Sequence, residues 1–326
     1  MPFALAHGGQ AIQIQRTLAA LQKIGVDAEP LRWWDEHQTG DIIHFFGLMP
    51  ANQIRFAQQK KIKVVMAEFL TAQGSHTAAQ RRARRLFRRA VETFAPRALV
   101  GMFSWESYRL ADVLIALTSL EKGLMEYKYS AAPEKVFVVP NGVDEPFFQS
   151  PPSLRSEWLV CTATITERKR VLELAQAAVA AQTPVWILGR AYADNDPYAQ
   201  NFFRLAKENP KFIRYEGGVS DRGELAKIYR AARGFVLLSS MESLSLSALE
   251  AAACECPLLL SDLPWARSSF KGAAEFCPVT GSIDTTAAAL KKFHAAAPHL
   301  PPPPRPATWP DVARQLRGIY EKVLAA

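Results

Sequence analysis

The stretch Ser239-Ser-Met-Glu242-Ser-Leu-Ser245-Leu-Ser-Ala-Leu-Glu250-Ala-Ala-Ala253 decides how the rest of this sequence is read. It follows Phe235–Leu238, an apolar run of the kind that forms a buried strand. It then passes through a polar loop into an alanine- and leucine-rich helix over Ser245–Ala253, with serine caps at the start. Strand, loop and helix in that order form the repeating unit of a parallel α/β sheet, whose ligands bind beyond the carboxyl ends of the strands. Unpaired N–H groups at the helix start suit a diphosphate. Glu250, flanked by Leu249 and alanines, stands where a solvated glutamate is not expected, and its carboxylate can accept two hydrogen bonds from a ribose diol. Glu242, in the loop, can reach a sugar beyond the phosphates. The plainer alternative makes Glu242 a loop carboxylate and Glu250 a solvated helix residue.

The same alternation extends outward in both directions. Strands are expected at Trp158–Cys161, Pro184–Leu188, Phe212–Tyr215, Phe235–Leu238 and Pro257–Leu260, with helices near Lys169–Ala181, Ala199–Asn209, Gly223–Ala232 and Ser245–Ala253. Toward the N-terminus, Phe3–Ala6 reads as a short first strand, followed by Gly8-Gly9 and a helix with Ile14, Leu18 and Leu21 on its apolar face, closed by Gly25. Asp41–Phe46, Ile62–Met66, Val113–Thr118 and Val136–Val139 read as strands, Asn52–Lys60 as a helix, and Pro140–Asp144 as a turn. The prolines of Gln149–Ser153 mark a linker, and Pro301–Pro304 a second stiff connector before an amphipathic helix from about Trp309 to Leu324. Two α/β units in series result. Neither Gly-x-Gly-x-x-Gly nor a P-loop pattern is present, which removes the usual support for dinucleotide and NTPase readings.

With 326 residues, 49% hydrophobic and 21% charged, the chain has the composition of a globular protein of about two domains. No apolar run reaches the ~18–20 residues of a spanning helix, and the first residues lack the pattern of a signal peptide. Cys161, Cys254, Cys256 and Cys277 read as reduced core thiols of a cytoplasmic protein, and no histidine cluster accompanies them, so no metal is expected. The net charge of +8 is concentrated in one run, Arg81-Arg82-Ala-Arg84-Arg85-Leu-Phe-Arg88-Arg89. It is either a solvated helix face or a patch for anionic lipid at the inner membrane face, or for phosphate-bearing acceptors. Without aromatic-basic interleaving, nucleic acid is not the expected partner.

The Glu242-x7-Glu250 spacing resembles that of the retaining GT-B glycosyltransferases, and the chain looks like a member of glycosyltransferase family 4, the group 1 glycosyltransferases. Other pieces fall in the family's order: Asp41-Ile-Ile-His44, Ala111–Ser119, Val138-Val-Pro-Asn-Gly-Val-Asp144, Phe212–Ser220 with Glu224-Leu225 and Tyr229, and Trp309 with Tyr320. The resemblance spans nearly the whole chain. It implies α/β architecture with two Rossmann-like domains facing across a cleft. Residues 1–150 would form the acceptor domain and 151–308 the donor domain, with a last helix, about 309–326, crossing back to the first. It further implies a metal-independent, retaining sugar transfer from a nucleoside-diphosphate sugar, UDP or GDP favoured, to a glycan or lipid-linked acceptor, with no cofactor.

Carried over by position, Glu250 binds the ribose hydroxyls, Glu242 contacts the sugar, and the amides of Ser243, Leu244 and Ser245 face the diphosphate. Lys169 matches the family's diphosphate-binding lysine, Val219 and Asp221 its base loop, and Gly8 and Gly9 its N-domain glycine loop. The sequence departs from the pattern in three places. Thr164 stands where the family has arginine, so that Arg168 or Arg190 would have to substitute, although a direct neighbour of Lys169 points elsewhere on a helix or strand. Ser243-Leu-Ser245 replaces a glycine-rich loop, and Met66–Phe69 lacks the family's histidine. On the acceptor side, His7 and Glu68 are candidates, and Trp33-Trp34 could be core edge or a sugar platform. His44 reads as a packed, hydrogen-bonded histidine. Two rival readings remain: a catalytically silent nucleotide-sugar-binding or scaffold protein, and a sugar-nucleotide epimerase.

Overall fold

The computed structural model describes residues 8–74, 76–96, 105–149, 154–193 and 195–326. The chain divides into two compact units, one of Gln13–Asn141 with Trp309–Ala326, the other of Gly142–Thr308 with the residues up to Ile12. The division falls after Asn141, ahead of the expected linker at Gln149–Ser153. Residues 150–153 of that linker lie outside the described residues, as does the expected strand Phe3–Ala6.

The first unit carries a four-stranded, wholly parallel sheet in the order β1 (Ile42–Phe46), β2 (Lys63–Ala67), β3 (Val113–Ala116), β4 (Val136–Val138). β3 is buried at every position and β2 nearly so, the burial on both faces that makes parallel strands read as unbroken apolar runs. Edge strand β1 is half-buried throughout. Ile54, Leu124 and Met125 from flanking helices close the core, with the rings of Tyr108 and Tyr129 stacked at 4.0 Å. Each such aliphatic side chain contributes about 1.5–3 kcal/mol by burial. The last helix, Trp309–Ala325, belongs to this unit and buries Trp309, Val312, Ala313, Leu316, Ile319, Tyr320 and Val323, a helical stripe. Its Tyr320 hydroxyl lies 2.6 Å from His44 Nδ1 on β1.

Three local expectations change. The helix Gly9–Lys23 buries Gln13, Thr17, Ala20 and Leu21, so the inward face is rotated and Ile14 and Leu18 are only half-buried. β3 ends at Ala116 because Thr118 caps a helix, Ser119–Tyr129, its hydroxyl accepting the Glu121 N–H. Pro140–Asp144 does not turn. Val143 bridges Thr308 and its N–H donates to Ala307, so backbone pairing holds the Asn-Gly segment extended.

The second unit carries six parallel strands in the order β10-β9-β8-β5-β6-β7. They are β5 (Leu159–Thr162), β6 (Val185–Leu188), β7 (Ile213–Tyr215), β8 (Gly234–Leu237), β9 (Leu258–Ser261) and β10 (Glu275–Cys277). The helices Val171–Ala181, Pro197–Glu208, Arg222–Ala231 and Leu246–Ala253 follow the expected pattern. β10 and the helices Pro264–Phe270 and Ile283–Ala296 were not anticipated. From the central pair β5 and β8 the chain winds outward in opposite directions. Such a reversal opens a crevice beyond the carboxyl ends of the two strands, which is where ligands of open α/β sheets bind. Gly189, just past β6, keeps the rim compact. A Cβ there would lie 1.8 Å from the Ala163 carbonyl oxygen, so no side chain fits between the two loops.

Candidate functional site

The strand reversal brings together the two loops that the sequence singled out. After β5 the chain enters a 3-10 turn, Glu167–Lys169, and after β8 it runs through Ser239–Ser245 into the helix Leu246–Ala253. The loops are laced by backbone bonds. The Ser240 N–H donates to the Arg168 carbonyl at 2.8 Å, and the Arg168 guanidinium donates to the Met241 carbonyl at 3.1 Å. Glu242, 8% exposed, receives both cations on one oxygen: Arg168 Nη1 at 3.2 Å and Lys169 Nζ in a short ion pair. Adjacent residues would diverge on a regular helix or strand. The tight 3-10 turn instead sends Arg168 and Lys169 to the same carboxylate. Two cations against one carboxylate leave a net positive charge beside the helix start. Arg190 lies beside the loop that holds Thr164. Its stem packs over Gly218 in the loop after β7, and its carbonyl accepts from Ile165.

Ser245 caps the helix Leu246–Ala253, its hydroxyl accepting from Ala248 at 3.4 Å, and no acidic side chain occupies the first turn. That leaves the positive end of the helix without a carboxylate of its own. Leu244, in place of a glycine, is buried, while Ser243 is half-buried. Gly9 approaches this start: a Cβ added to it would lie 3.6 Å from the Leu246 side chain, and one on Gly8 would lie 3.8 Å from the Tyr192 hydroxyl.

Glu250 is 4% exposed, which rules out a solvated helix residue. Its Oε1 pairs with Arg222 Nη2, and Arg222 Nε also bonds Asp144 Oδ2 at 3.1 Å. Burial alone would lower the Arg222 guanidinium, but Glu250 and Asp144 outweigh it and raise it. Neither Arg222 nor Asp144 was singled out as a site residue. A cation opening a helix opposes the helix dipole, so its presence signals a carboxylate partner nearby. Asp221 is committed to capping that helix, its Oδ1 accepting from Glu224 N at 2.8 Å. Val219 is half-buried in the loop before it.

His7 lies outside the described residues. Glu68 follows β2 with Oε2 buried and unpartnered. Burial pushes its carboxyl up to about 7, opposed by Lys128 and reinforced by Glu121. Glu121, which sequence reasoning missed, is also raised to about 7 by burial, against backbone bonds from Leu117 at 2.7 Å and Leu70 at 3.2 Å. Burial holds His44 down to about 4, so with its Tyr320 bond it is a neutral packing residue. Trp33 and Trp34 are exposed and meet edge to face at 5.5 Å.

The Arg-rich run forms the helix Ala78–Phe94, opened by a Thr77–Gln80 capping box. Arg88 must be removed from the proposed surface set. It is 3% exposed, bonded to Glu92 at 2.7 Å and to Ser130 at 3.0 Å, because it faces the helix Ser119–Tyr129. Arg85 stacks on Tyr127 at 3.9 Å. Arg82, Arg84 and Arg89 are exposed, beside exposed Leu86, Phe87 and Phe94.

Residues 143–298 match the model of the family described as glycosyl transferases group 1. The fold is that of GT-B glycosyltransferases. Sucrose-phosphate synthase from Thermosynechococcus elongatus matches with a TM-score of 0.64 and 16% identity, over 98% of this chain and 94% of its own. The pneumococcal O-GlcNAc transferase GtfA, solved with UDP and GlcNAc, matches with 0.59 and 13%, over 84% of this chain. Anabaena Alr3699/HepE, solved with UDP and glucose, matches with 0.56 and 14%, over 86% of this chain and 78% of its own. The chain spans 55% of the length of GtfA. No curated protein matches in sequence. The group 1 match covers Lys169, Glu242, Glu250, Arg222 and Asp144 together.

Proposed function

We propose that this protein is a retaining, metal-independent glycosyltransferase. It moves a sugar from a nucleoside-diphosphate sugar, with uridine or guanosine favoured, to a glycan or lipid-linked acceptor. The observation that supports this most is the pair of loops at the β5/β8 reversal, which place Lys169 and Arg168 on Glu242 beside a helix start free of acidic side chains. Negative charge that grows on a departing diphosphate would meet those cations and the helix amides, and would need no reorganisation of the protein. Glu242 is held where it can position the sugar, and Glu250 where it can take the ribose diol. That UDP occupies GtfA and HepE favours uridine.

The acceptor side is read from the other unit. No helix among the described residues is long and apolar enough to cross a membrane. The exposed arginines and aromatics of Ala78–Phe94 suit a peripheral position on an anionic membrane face, the place where a lipid-linked acceptor would be met. Glu68 is the acceptor-side carboxyl.

Thermal-shift measurement against uridine, guanosine and adenosine diphosphates and their sugars tests the donor reading. Ligand at a hundredfold excess over Kd stabilises the native state by about 2.7 kcal/mol. A selective rise that Glu250→Ala abolishes is expected. A flat response to every nucleotide would mean the site is dismantled and favour a silent scaffold. Turnover of donor alone to an isomeric sugar nucleotide would instead identify an epimerase.

A further inference from the structure

Arg222 makes more of its surroundings than a helix-opening residue needs to. Its Nη2 donates to Glu250 Oε1 and its Nε to Asp144 Oδ2 at 3.1 Å. Its guanidinium carbon lies 4.7 Å from the centroid of the Phe147 ring, which is fully buried. The three contacts come from two stretches of chain, Asp144–Phe147 and the helix Leu246–Ala253, and each fixes a different part of the guanidinium. Asp144 holds the Nε edge, Phe147 holds the plane, and the remaining arm is left for Glu250. A guanidinium fixed in this way cannot follow its partner, so it sets the rotamer of Glu250 rather than the reverse.

A carboxylate that reads a diol must keep acceptor positions aimed at two hydroxyls at once, and a buried one must also be compensated for its charge. Arg222 meets both requirements by engaging one oxygen of Glu250. A lysine at this position would supply the charge without the fork, and an apolar residue would supply neither.

We propose that Arg222 is the positioning residue of the donor site, aiming Glu250 at the ribose diol of the nucleoside diphosphate and thereby setting discrimination between ribo- and deoxyribonucleotides. The inference rests on the reading of Glu250 as the diol acceptor. Asp144 serves it one step further out, by holding Arg222.

Isothermal titration of UDP, GDP and their 2′-deoxy forms into the full chain tests this, using wild type, Arg222→Met, Arg222→Lys and Asp144→Asn. Wild type should prefer the ribo form by about tenfold or more, the effect of a hydrogen bond to a charged group. Arg222→Met should reduce that preference to threefold or less, Asp144→Asn should lie between, and Arg222→Lys should recover part of it. A purely structural role would weaken ribo and deoxy forms equally and leave the ratio intact; that result in Arg222→Met, or in Asp144→Asn if Arg222→Met does not fold, overturns the proposal. Equal binding of both forms by wild type overturns it too, while leaving a nucleotide site in place. Failure of wild type to bind any nucleotide removes the donor reading itself, and the inference with it.

Discussion

The two units treat buried carboxylates in opposite ways. In the unit of Gly142–Thr308, Glu242 and Glu250 are both nearly inaccessible and each is met by guanidinium or ammonium: Glu242 by Arg168 and Lys169, Glu250 by Arg222. In the unit of Gln13–Asn141, Glu121 is just as buried but takes two backbone N–H groups in place of a cation, and Glu68 keeps one oxygen unpartnered. Several of that unit's cations lie instead along Ala78–Phe94, where Arg81, Arg82, Arg84 and Arg89 form no ion pair among the described residues. A paired buried charge is fixed and ready to act on a charged ligand. An unpaired buried carboxyl holds its proton, and unpaired surface cations are open to an external anion. On the proposed function, the chemistry of a leaving diphosphate would belong to the second unit, and the first would offer a buried carboxyl and a basic face.

The contrast breaks most visibly at Glu242. Replacing it with alanine frees Lys169 and Arg168 but removes the group that would position the sugar. Turnover should fall by about 10²–10³-fold, comparable to loss of one preorganised electrostatic group. Donor affinity should change far less, since both cations remain for the diphosphate. Steady-state kinetics with parallel donor titration separate the two. A loss of donor affinity with kcat unchanged would show that Glu242 serves binding alone.

These roles were unevenly legible in the sequence. Apart from β10, the parallel strands of the second unit could be placed to within about a residue because burial on both faces leaves an unbroken apolar run, as in Phe235–Leu238. Glu242 and Glu250 could be found because their spacing follows one strand, one loop and one helix. Arg222 could not, since its partners Asp144 and Glu250 lie 78 and 28 positions away and only the strand order brings them together. Lys169 was found only through family resemblance, and its neighbour Arg168 only as a substitute for an arginine missing at Thr164, because the 3-10 turn that aims both at Glu242 has no clear pattern of its own. The inward face of Gly9–Lys23 was misread for the opposite reason. Ile14 and Leu18 look like a core stripe, yet the neighbouring stripe of Gln13 and Thr17 is the buried one.

The basic face gives the next effect in size. If Arg82 and Arg89 face an anionic surface, each contributes ~1 kcal/mol there, so Arg82→Gln with Arg89→Gln should weaken binding to phosphatidylserine-rich vesicles by about 30-fold. Cosedimentation should also fall steeply with salt. Arg88→Gln would instead act on stability, because Arg88 is spent on Glu92 and Ser130. Vesicle binding that ignores both salt and the double substitution would sink the electrostatic reading of this face.

The smallest effect sharpens the comparison from the side of the protonated carboxyls. Glu68 and Glu121 are raised from 4.5 to about 7 by burial, so the native chain binds their protons more tightly than the unfolded chain does. Their contribution to stability is fully present below the ordinary carboxylate value and is lost as pH rises through about 7. Glu68→Gln keeps the neutral shape and removes the titration. Its melting temperature should therefore gain on wild type as the pH is taken from 4.5 to 7.5, and parallel curves would show that Glu68 is not desolvated. Glu121→Gln should behave differently. A glutamine amide offers one acceptor oxygen to the two N–H groups of Leu117 and Leu70, which now use separate oxygens, and brings a donor into a site built for acceptors. It should lower stability relative to wild type most at low pH, with the deficit narrowing as pH rises through about 7. The two carboxyls that share a raised pKa would thus be told apart by whether backbone N–H groups hold both oxygens, as at Glu121, or one oxygen lacks a partner, as at Glu68.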